Sequence, residues 1–462
     1  MVRPDPEEAP AMDTPAPPAP AAAPSAASGP TAPGTAGPSA TPPAGLPDLA
    51  DPGFWRLPRP DRLAAFARLR ASGAPVRFGP AEGPGGFHAL VRHADVQEAS
   101  RTPRVFASAP GVTTPEPAGW VKALFGDSMV NLDDPEHAAL RRIVGRAFTP
   151  RLLAAAEENV RAVAERLVDE VIRDRPADFV AAIASRLPFE IICDLMGVPG
   201  HHRREIARRI DEASRDIGVG RRRLRMPGRG LRALAHLHLV MGKLARERRR
   251  EPREDLITAL VTADVDGQAL DARRLGAFFS LLLVAGVETT RNALAHGLVL
   301  LGDHPAQREL LAAEPERYGD GAVEEIVRHS TPIIQFRRTV TAEYALGGRV
   351  FRPGEKVVLF YASANRDETV FADPDAFDIT RSPNPHLGYG GGGPHYCLGA
   401  HLARQEMKAV FRELLSRTEN LRATGPAELI DSSFDNRVRA LPFTFTPRRD
   451  RGRAGAGAVA GP

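Results

Sequence analysis

The chain has 462 residues, 43% of them hydrophobic, enough for a large core and, by size alone, for about two to four domains. Charged residues make up 26%, and Lys and Arg together exceed Asp and Glu by only four, with four lysines among the 61 basic residues. This balance excludes wholesale disorder and does not mark a nucleic-acid binder. Two cysteines, Cys193 and Cys397, cannot build a disulfide scaffold and fit a reducing compartment. The longest strongly apolar stretch, Gly276 to Val287, falls short of the ~20 residues of a bilayer span, and no basic-then-apolar signal opens the chain. A cytoplasmic protein without a membrane span is expected.

In chain order, residues 1–50 hold 14 Pro and 14 Ala with no aromatic residue and no Ile. Such a segment cannot offset its chain entropy by burial and reads as a disordered leader. Phe87–Val91 is a short β-type run. Asp134-Pro135 reads as an N-cap with Pro at the first helical position, for a helix that runs to Phe148 before Thr149-Pro150 stops it. Arg151–Ile172 predicts a long amphipathic helix, and Cys193, in the run Ile191-Ile192-Cys193, reads as core packing. Gly200–Asp255 is rich in Arg, including Arg221–Arg223 and Arg248–Arg250, and predicts two surface helices with a mobile joint that form a lid. Leu275–Leu301 is apolar almost all round and predicts a buried central helix. Val357–Tyr361 is a second β-type run, and Leu398–Leu415 carries an apolar helical stripe at 403, 407, 410, 411 and 414. Residues 448–462 read as a solvated tail. The expected fold is mainly α with small β-sheets, in one large domain over residues 51–447.

The segment from His386 to Arg404 holds four consecutive glycines, Gly390–Gly393, then Cys397 at the mouth of a helix. Glycines let a backbone approach a bulky partner closely, and unpaired N–H groups at a helix start favour a thiolate. A preorganised thiolate suits a soft metal, haem iron being one candidate. Gly388-x-Gly390-x-x-Gly393 matches the dinucleotide fingerprint, but Ser382-Pro-Asn-Pro385 ahead of it cannot be the buried strand that such a site requires. His395, Cys397 and His401 supply only three zinc ligands, and a buried structural cysteine is the bland alternative. In the central helix, Ala285-Gly286-Val287-Glu288-Thr289-Thr290 places an acid and two hydroxyls where polar groups are costly unless paired. Thr back-bonding and Gly286 both favour a local opening of the helix there.

Together these motifs resemble those of the cytochrome P450 monooxygenases, over roughly Asp51 to Phe445. The resemblance implies a mainly helical fold and a haem b with Cys397 as its axial thiolate. It implies that Thr289 steadies the activated oxygen and that Glu288 helps deliver protons for O–O cleavage. His137 and Arg141, four apart on one helix face, resemble the family's propionate clamp, with Arg338 (its rival is Arg337) and His386 reaching the other propionate. The resemblance also sets Ala285, Gly286, Tyr389, His395 and Gly399 against the haem, and makes Glu325, Arg328 and Arg381 a buried structural ion cluster. Tyr389 stands eight residues before Cys397 rather than seven, which is similar to the bacterial members that oxidise sterol side chains and methyl-branched lipids.

The implied activity inserts one atom of O2 into a lipophilic substrate, a steroid, terpenoid or lipid. With no flavin or iron–sulfur segment in the sequence, electrons are expected from a separate ferredoxin and ferredoxin reductase that dock near the Cys397 face. A monomer is expected. The alternatives are a peroxide-driven or O2-independent enzyme on the same haem, and a non-enzymatic haem-binding protein.

Overall fold

The computed structural model describes residues 48–80, 86–114, 128–214, 228–262 and 272–448. Most of the Pro/Ala-rich leader, the Arg221–Arg223 run and all but the first residue of the expected tail lie outside these. The described chain joins the fold before residue 51: Leu49 is 2% exposed, and the Trp55 indole N–H donates to its carbonyl at 3.0 Å.

Eleven strands are described: β1 (Val76–Phe78), β2 (Phe87–Leu90), β3 (Phe106–Ala107), β4 (Gln335–Val340), β5 (Tyr344–Leu346), β6 (Arg349–Phe351), β7 (Lys356–Phe360), β8 (Thr418–Ala423), β9 (Glu428–Leu429), β10 (Val438–Ala440) and β11 (Phe443–Pro447). The largest sheet runs β1-β2-β7-β4-β3; the others are the pairs β5-β6, β8-β11 and β9-β10. The two β-type runs read from the sequence are β2 and β7, which pair in parallel with His88 opposite Val357. The remaining strands are only two to six residues long, and some, such as β3 on β4, gain their hydrogen bonds from partners far away in sequence, so local pattern does not announce them. Trp55 stacks on Phe360 with ring centroids 6.1 Å apart, and Phe66 and Phe87 close the same sheet face.

Helices make up the rest. Glu136–Ala147 begins one residue later than expected, but Asp134 Oδ1 still accepts from the Ala138 N–H at 3.1 Å. Thr149-Pro150, read as a stop, is also a start: the Thr149 hydroxyl accepts from the Leu152 N–H at 3.2 Å and opens the helix Pro150–Asp174. Cys193 is core, and burial pushes its thiol up to about 12. Gly200–Ser214 and Gly228–Arg250 are the two Arg-rich helices. Arg248 departs from the surface reading, being buried with its guanidinium on Asp255 and the Gly197 carbonyl. The central run is Ala272–Leu282, a wide π-type turn over Leu283–Val287, and the helix Glu288–Asp303. Against it lies the helix Ala400–Arg417, so close that a Cβ on Gly297 would stand 2.6 Å from Phe411. No helix among the described residues is long and apolar enough to cross a membrane.

Glu325 and Arg328, both 0% exposed, lie one turn apart in the helix Pro315–Ser330 and meet fork to fork through two bonds of 2.8 Å. Arg328 also donates to the carbonyls of Asn365, Pro374 and Ala376, while Glu325 accepts from Arg381, Asn384 and the Asp378 N–H. Every lone pair and proton is used, the condition under which a buried pair is tolerated. Glu325→Ala should cost about 3–5 kcal/mol in chemical denaturation by stranding the guanidinium, and Glu325→Gln clearly less.

Candidate functional site

Cys397 sits three residues ahead of the helix Ala400–Arg417, and its backbone N–H donates to the Tyr389 carbonyl at 2.9 Å, closing the glycine loop on itself. A Cβ on Gly391 or Gly393 would lie 2.4–2.5 Å from Ser100, in the helix His93–Arg101, and Gly393 has φ +77°. At these two positions the close approach that demands glycine is to the protein's own helix, whereas the sequence suggested a flat partner. The Cys397 side chain is reachable by solvent, yet protein crowds it enough that burial pushes its thiol up. The Gly399 N–H, Arg141 and Arg404 act in the opposite direction and are outweighed. The helix entrance therefore does not by itself yield a thiolate; a further positive charge has to supply the difference.

Beside the loop, His137 is 1% exposed, and its ring lies 4.1 Å, centroid to centroid, from that of His395. Neither nitrogen of His137 has a hydrogen-bond partner; Asp134 Oδ1 stands 3.6 Å from Nδ1. One turn on, Arg141 donates to the Tyr396 carbonyl at 2.8 Å. His395 Nε2 meets the Ser108 hydroxyl at 3.0 Å, and burial, with Arg338, His137 and Arg141 around it, holds the ring neutral down to about 3. A cavity of about 320 Å³ opens here, lined by His137, His395, Asp133, Pro394 and Ala107 among others. Adjacent residues of β4 point to opposite faces. Arg337 donates to the Gly111 carbonyl at 2.7 Å, while Arg338 is the one whose charge acts on His395.

The structure takes His386 away from this group. Its Nδ1 accepts from the Gly388 N–H and its Nε2 reaches Glu324 at 2.8 Å, so neither nitrogen is left for a propionate. Burial alone would raise Glu324, but the bonds from His386 and Arg404 outweigh it and hold the carboxyl at about 2. Tyr389 belongs to the same cluster: Arg404 lies 4.1 Å over its ring, and its buried hydroxyl has no hydrogen-bond partner. Of the three zinc candidates, His401 turns to Glu157 at 2.6 Å while His395 meets Ser108.

Just past the π-type turn, the Thr289 hydroxyl donates back to the Ala285 carbonyl within it at 2.5 Å. Leu283 and Val287 are buried, whereas Val284 is 55% exposed and Ala285 is also open, so the turn presents small apolar groups to accessible space. Glu288 Oε2 takes Arg291 at 2.5 Å and Arg437 at 3.4 Å, and Arg437 also binds Asp435. Two guanidiniums thus hold this carboxylate in place. The sequence did not single out Arg437, since nothing local ties it to a helix some 150 residues earlier.

Glu406 was passed over as well. It lies beside the stripe positions 403, 407 and 410, an acid among apolar neighbours, which was the available signal. It is fully buried, and the Thr290 hydroxyl bonds its carboxyl, joining the helix after Cys397 to the one that bears Thr289. Burial raises it to about 8 against that bond.

A family model described as Cytochrome P450 matches residues 229–421. A methyl-branched lipid omega-hydroxylase of Mycobacterium tuberculosis is 42% identical over 86% of this chain and 94% of its own length. A steroid C26-monooxygenase of Mycolicibacterium smegmatis is 36% identical over 79% of this chain and 84% of its own. Among solved structures, a Mycobacterium marinum cytochrome P450 in complex with pseudoionone is similar, with a TM-score of 0.80 and 39% identity over 86% of this chain and 98% of that one.

Glu406 has a raised folded pKa, so its contribution is fully present below the unfolded value of ~4.3 and is lost as pH rises through about 8. Glu406→Gln should remove that slope. Its stability gain over the native protein, read from denaturation curves, should grow from pH 4.5 to pH 8.5, reaching a few kcal/mol; a gain independent of pH would show that Glu406 is already charged at neutrality.

Proposed function

The chain belongs to the cytochrome P450 family, and from that premise we propose that it is a haem-thiolate monooxygenase of lipophilic substrates with Cys397 as the axial ligand of a haem b. One observation carries the assignment of the site: a buried imidazole, His137, whose Nε2 has no partner and whose Nδ1 has only Asp134 at 3.6 Å, beside Arg141 and a cavity, with its ring against His395, on which Arg338 acts. Orphaned polar atoms at that depth are costly and fit an absent acidic group. The residues therefore suit a haem carboxylate there, and the thiol that needs a further positive charge suits its iron. His137, Arg141 and Arg338 would hold the propionates, His395 would flank them, and Ala285, Gly286 and Gly399 would lie against the ring. His386 and Tyr389 would act one step removed, by bracing the loop through Glu324 and Arg404.

When bound, the haem supplies the O2 activation and one-electron chemistry. The protein's part is to hold protons and exclude water. Thr289 keeps its hydroxyl in the opened turn, where Oγ1 can accept one hydrogen bond while donating to Ala285. Glu288, one residue before it, is an acid whose release from Arg437 would free it to take up a proton from solvent and pass it inward. Val284 and Ala285 offer an apolar wall.

For the substrate, we propose a branched lipid or steroid side chain attacked near its terminal methyl, the chemistry named for the two mycobacterial relatives. Electrons would come from a ferredoxin and its reductase in the cytoplasm, in keeping with two free cysteines. The haem domain would take in residues 48–448, slightly more than the 51–447 expected from the sequence.

Two measurements test this. The reduced protein with carbon monoxide should give the red-shifted thiolate band, absent from Cys397→Ser that still takes up haem; the same band in the variant would overturn the ligand assignment. His137→Phe should release haem to a scavenger roughly ten- to a hundredfold faster, as for one lost hydrogen bond to a charged group, without lowering the thermal midpoint of the haem-free protein.

A further inference from the structure

A second cavity, away from the thiol loop, lies between the helix Arg59–Ala71, the end of the helix Pro315–Ser330 and the turn at Asn436. Its volume is about 20 Å³, room for one water-sized occupant. Three guanidiniums line it, from Arg59, Arg62 and Arg366, together with Ser330. Arg62 Nε is buried without a hydrogen-bond partner, and so is the hydroxyl of Ser330, a residue 0% exposed.

The carbonyls and the imidazole nitrogen around this cavity already accept hydrogen bonds. The His329 carbonyl receives Arg59 and Arg366, and His329 Nδ1 receives Arg366 at 3.0 Å. The Ser330 and Thr331 carbonyls both receive the Asn436 amide at 2.9 Å. The unpartnered groups are the Arg62 Nε–H, which can only donate, and the Ser330 hydroxyl, which can donate to an anion. An anion accepts from every one of these donors and offsets the arginine charge, which a neutral water does not.

The charge balance points the same way. Asp375 pairs with Arg366 but is mostly in solvent, and Asp431, which acts on Arg62, is already paired with Arg56 at 3.6 Å. Burial, then repulsion from Arg366 and Arg62, bring Arg59 down to about 9. Burial, then Arg366 and Arg59, hold His329 neutral down to about 2.

We propose that this cavity binds one small monatomic anion, chloride or its like, which clamps the Arg59–Ala71 helix to the end of the Pro315–Ser330 helix. It is too small for a carboxylate or sulfate. The clamp adjoins Asn436, the neighbour of the Arg437 that holds Glu288.

The test uses the full-length haem-loaded protein in sodium chloride and in sodium gluconate at equal ionic strength. A bound anion at about ten times its Kd should raise the thermal midpoint by roughly 1–2 °C in chloride over gluconate for a chain of this size. Arg62→Gln should lose that gap. Crystals soaked in bromide should show an anomalous peak inside the cavity, which decides the matter if Arg62→Gln does not fold. Equal midpoints of the native protein in the two salts, or a cavity without bromide, would overturn the site in favour of a plain water.

Discussion

Glu325 and Arg328 form the pair on which the thiol loop's foundation rests. Their two charges are out of water, and each guanidinium and carboxylate contact beyond the pair reaches into residues 365–384. That stretch has almost no regular secondary structure of its own. Its backbone groups would be unsatisfied in the interior without a side chain that can donate to three carbonyls at once. The chain then passes directly into His386, Tyr389 and the glycine run, so the position of Cys397 is inherited from an ion pair that never meets a substrate.

The same geometric need explains why 57 of the 61 basic residues are arginine. Arg328 and Arg337 serve carbonyls deep in the protein, and Arg141 serves Tyr396 at the rim. A planar fork can satisfy such groups in pairs, which a lysine ammonium on a flexible stem does less well. The accumulated positive charge has a second effect. Added to burial, the larger cause, it helps keep His395 and His329 neutral, so that these imidazoles act as hydrogen-bonding rings and not as charges. Acids in such surroundings divide by contact: Glu324 is held ionised by two basic partners, whereas Glu406, with only a hydroxyl, is raised.

Much of the site was legible because its signals are local. Cys397 after four glycines, the acid–alcohol step at Glu288-Thr289, and the four-residue spacing of His137 and Arg141 each lie within a turn or two of chain. The Thr289 back-bond and the opening of the helix at Gly286 were readable from the known conflict between a β-hydroxyl and a helical carbonyl. The pairing of Glu325, Arg328 and Arg381 was reached through resemblance, since two of its members are adjacent turns and the third lies far along the chain. Arg437 on Glu288 and Thr290 on Glu406 were out of reach, because each contact spans more than a hundred residues.

His386 shows the limit from the other side: its sequence neighbours suit a role at the cofactor, but Glu324 on a separate helix takes the ring first. The sequence by itself determined the helical periodicities, the start and stop signals at Asp134 and Thr149-Pro150, the thiol and its flexible approach, and the family. These follow from covalent spacing and from side-chain preferences that act over a few residues. Tertiary structure alone decided which arginine faces which side of β4, that His386 is taken by Glu324, and which of Glu324 and Glu406 is charged. Those outcomes depend on burial and on what stands opposite in space, and neither quantity is a function of neighbouring residues.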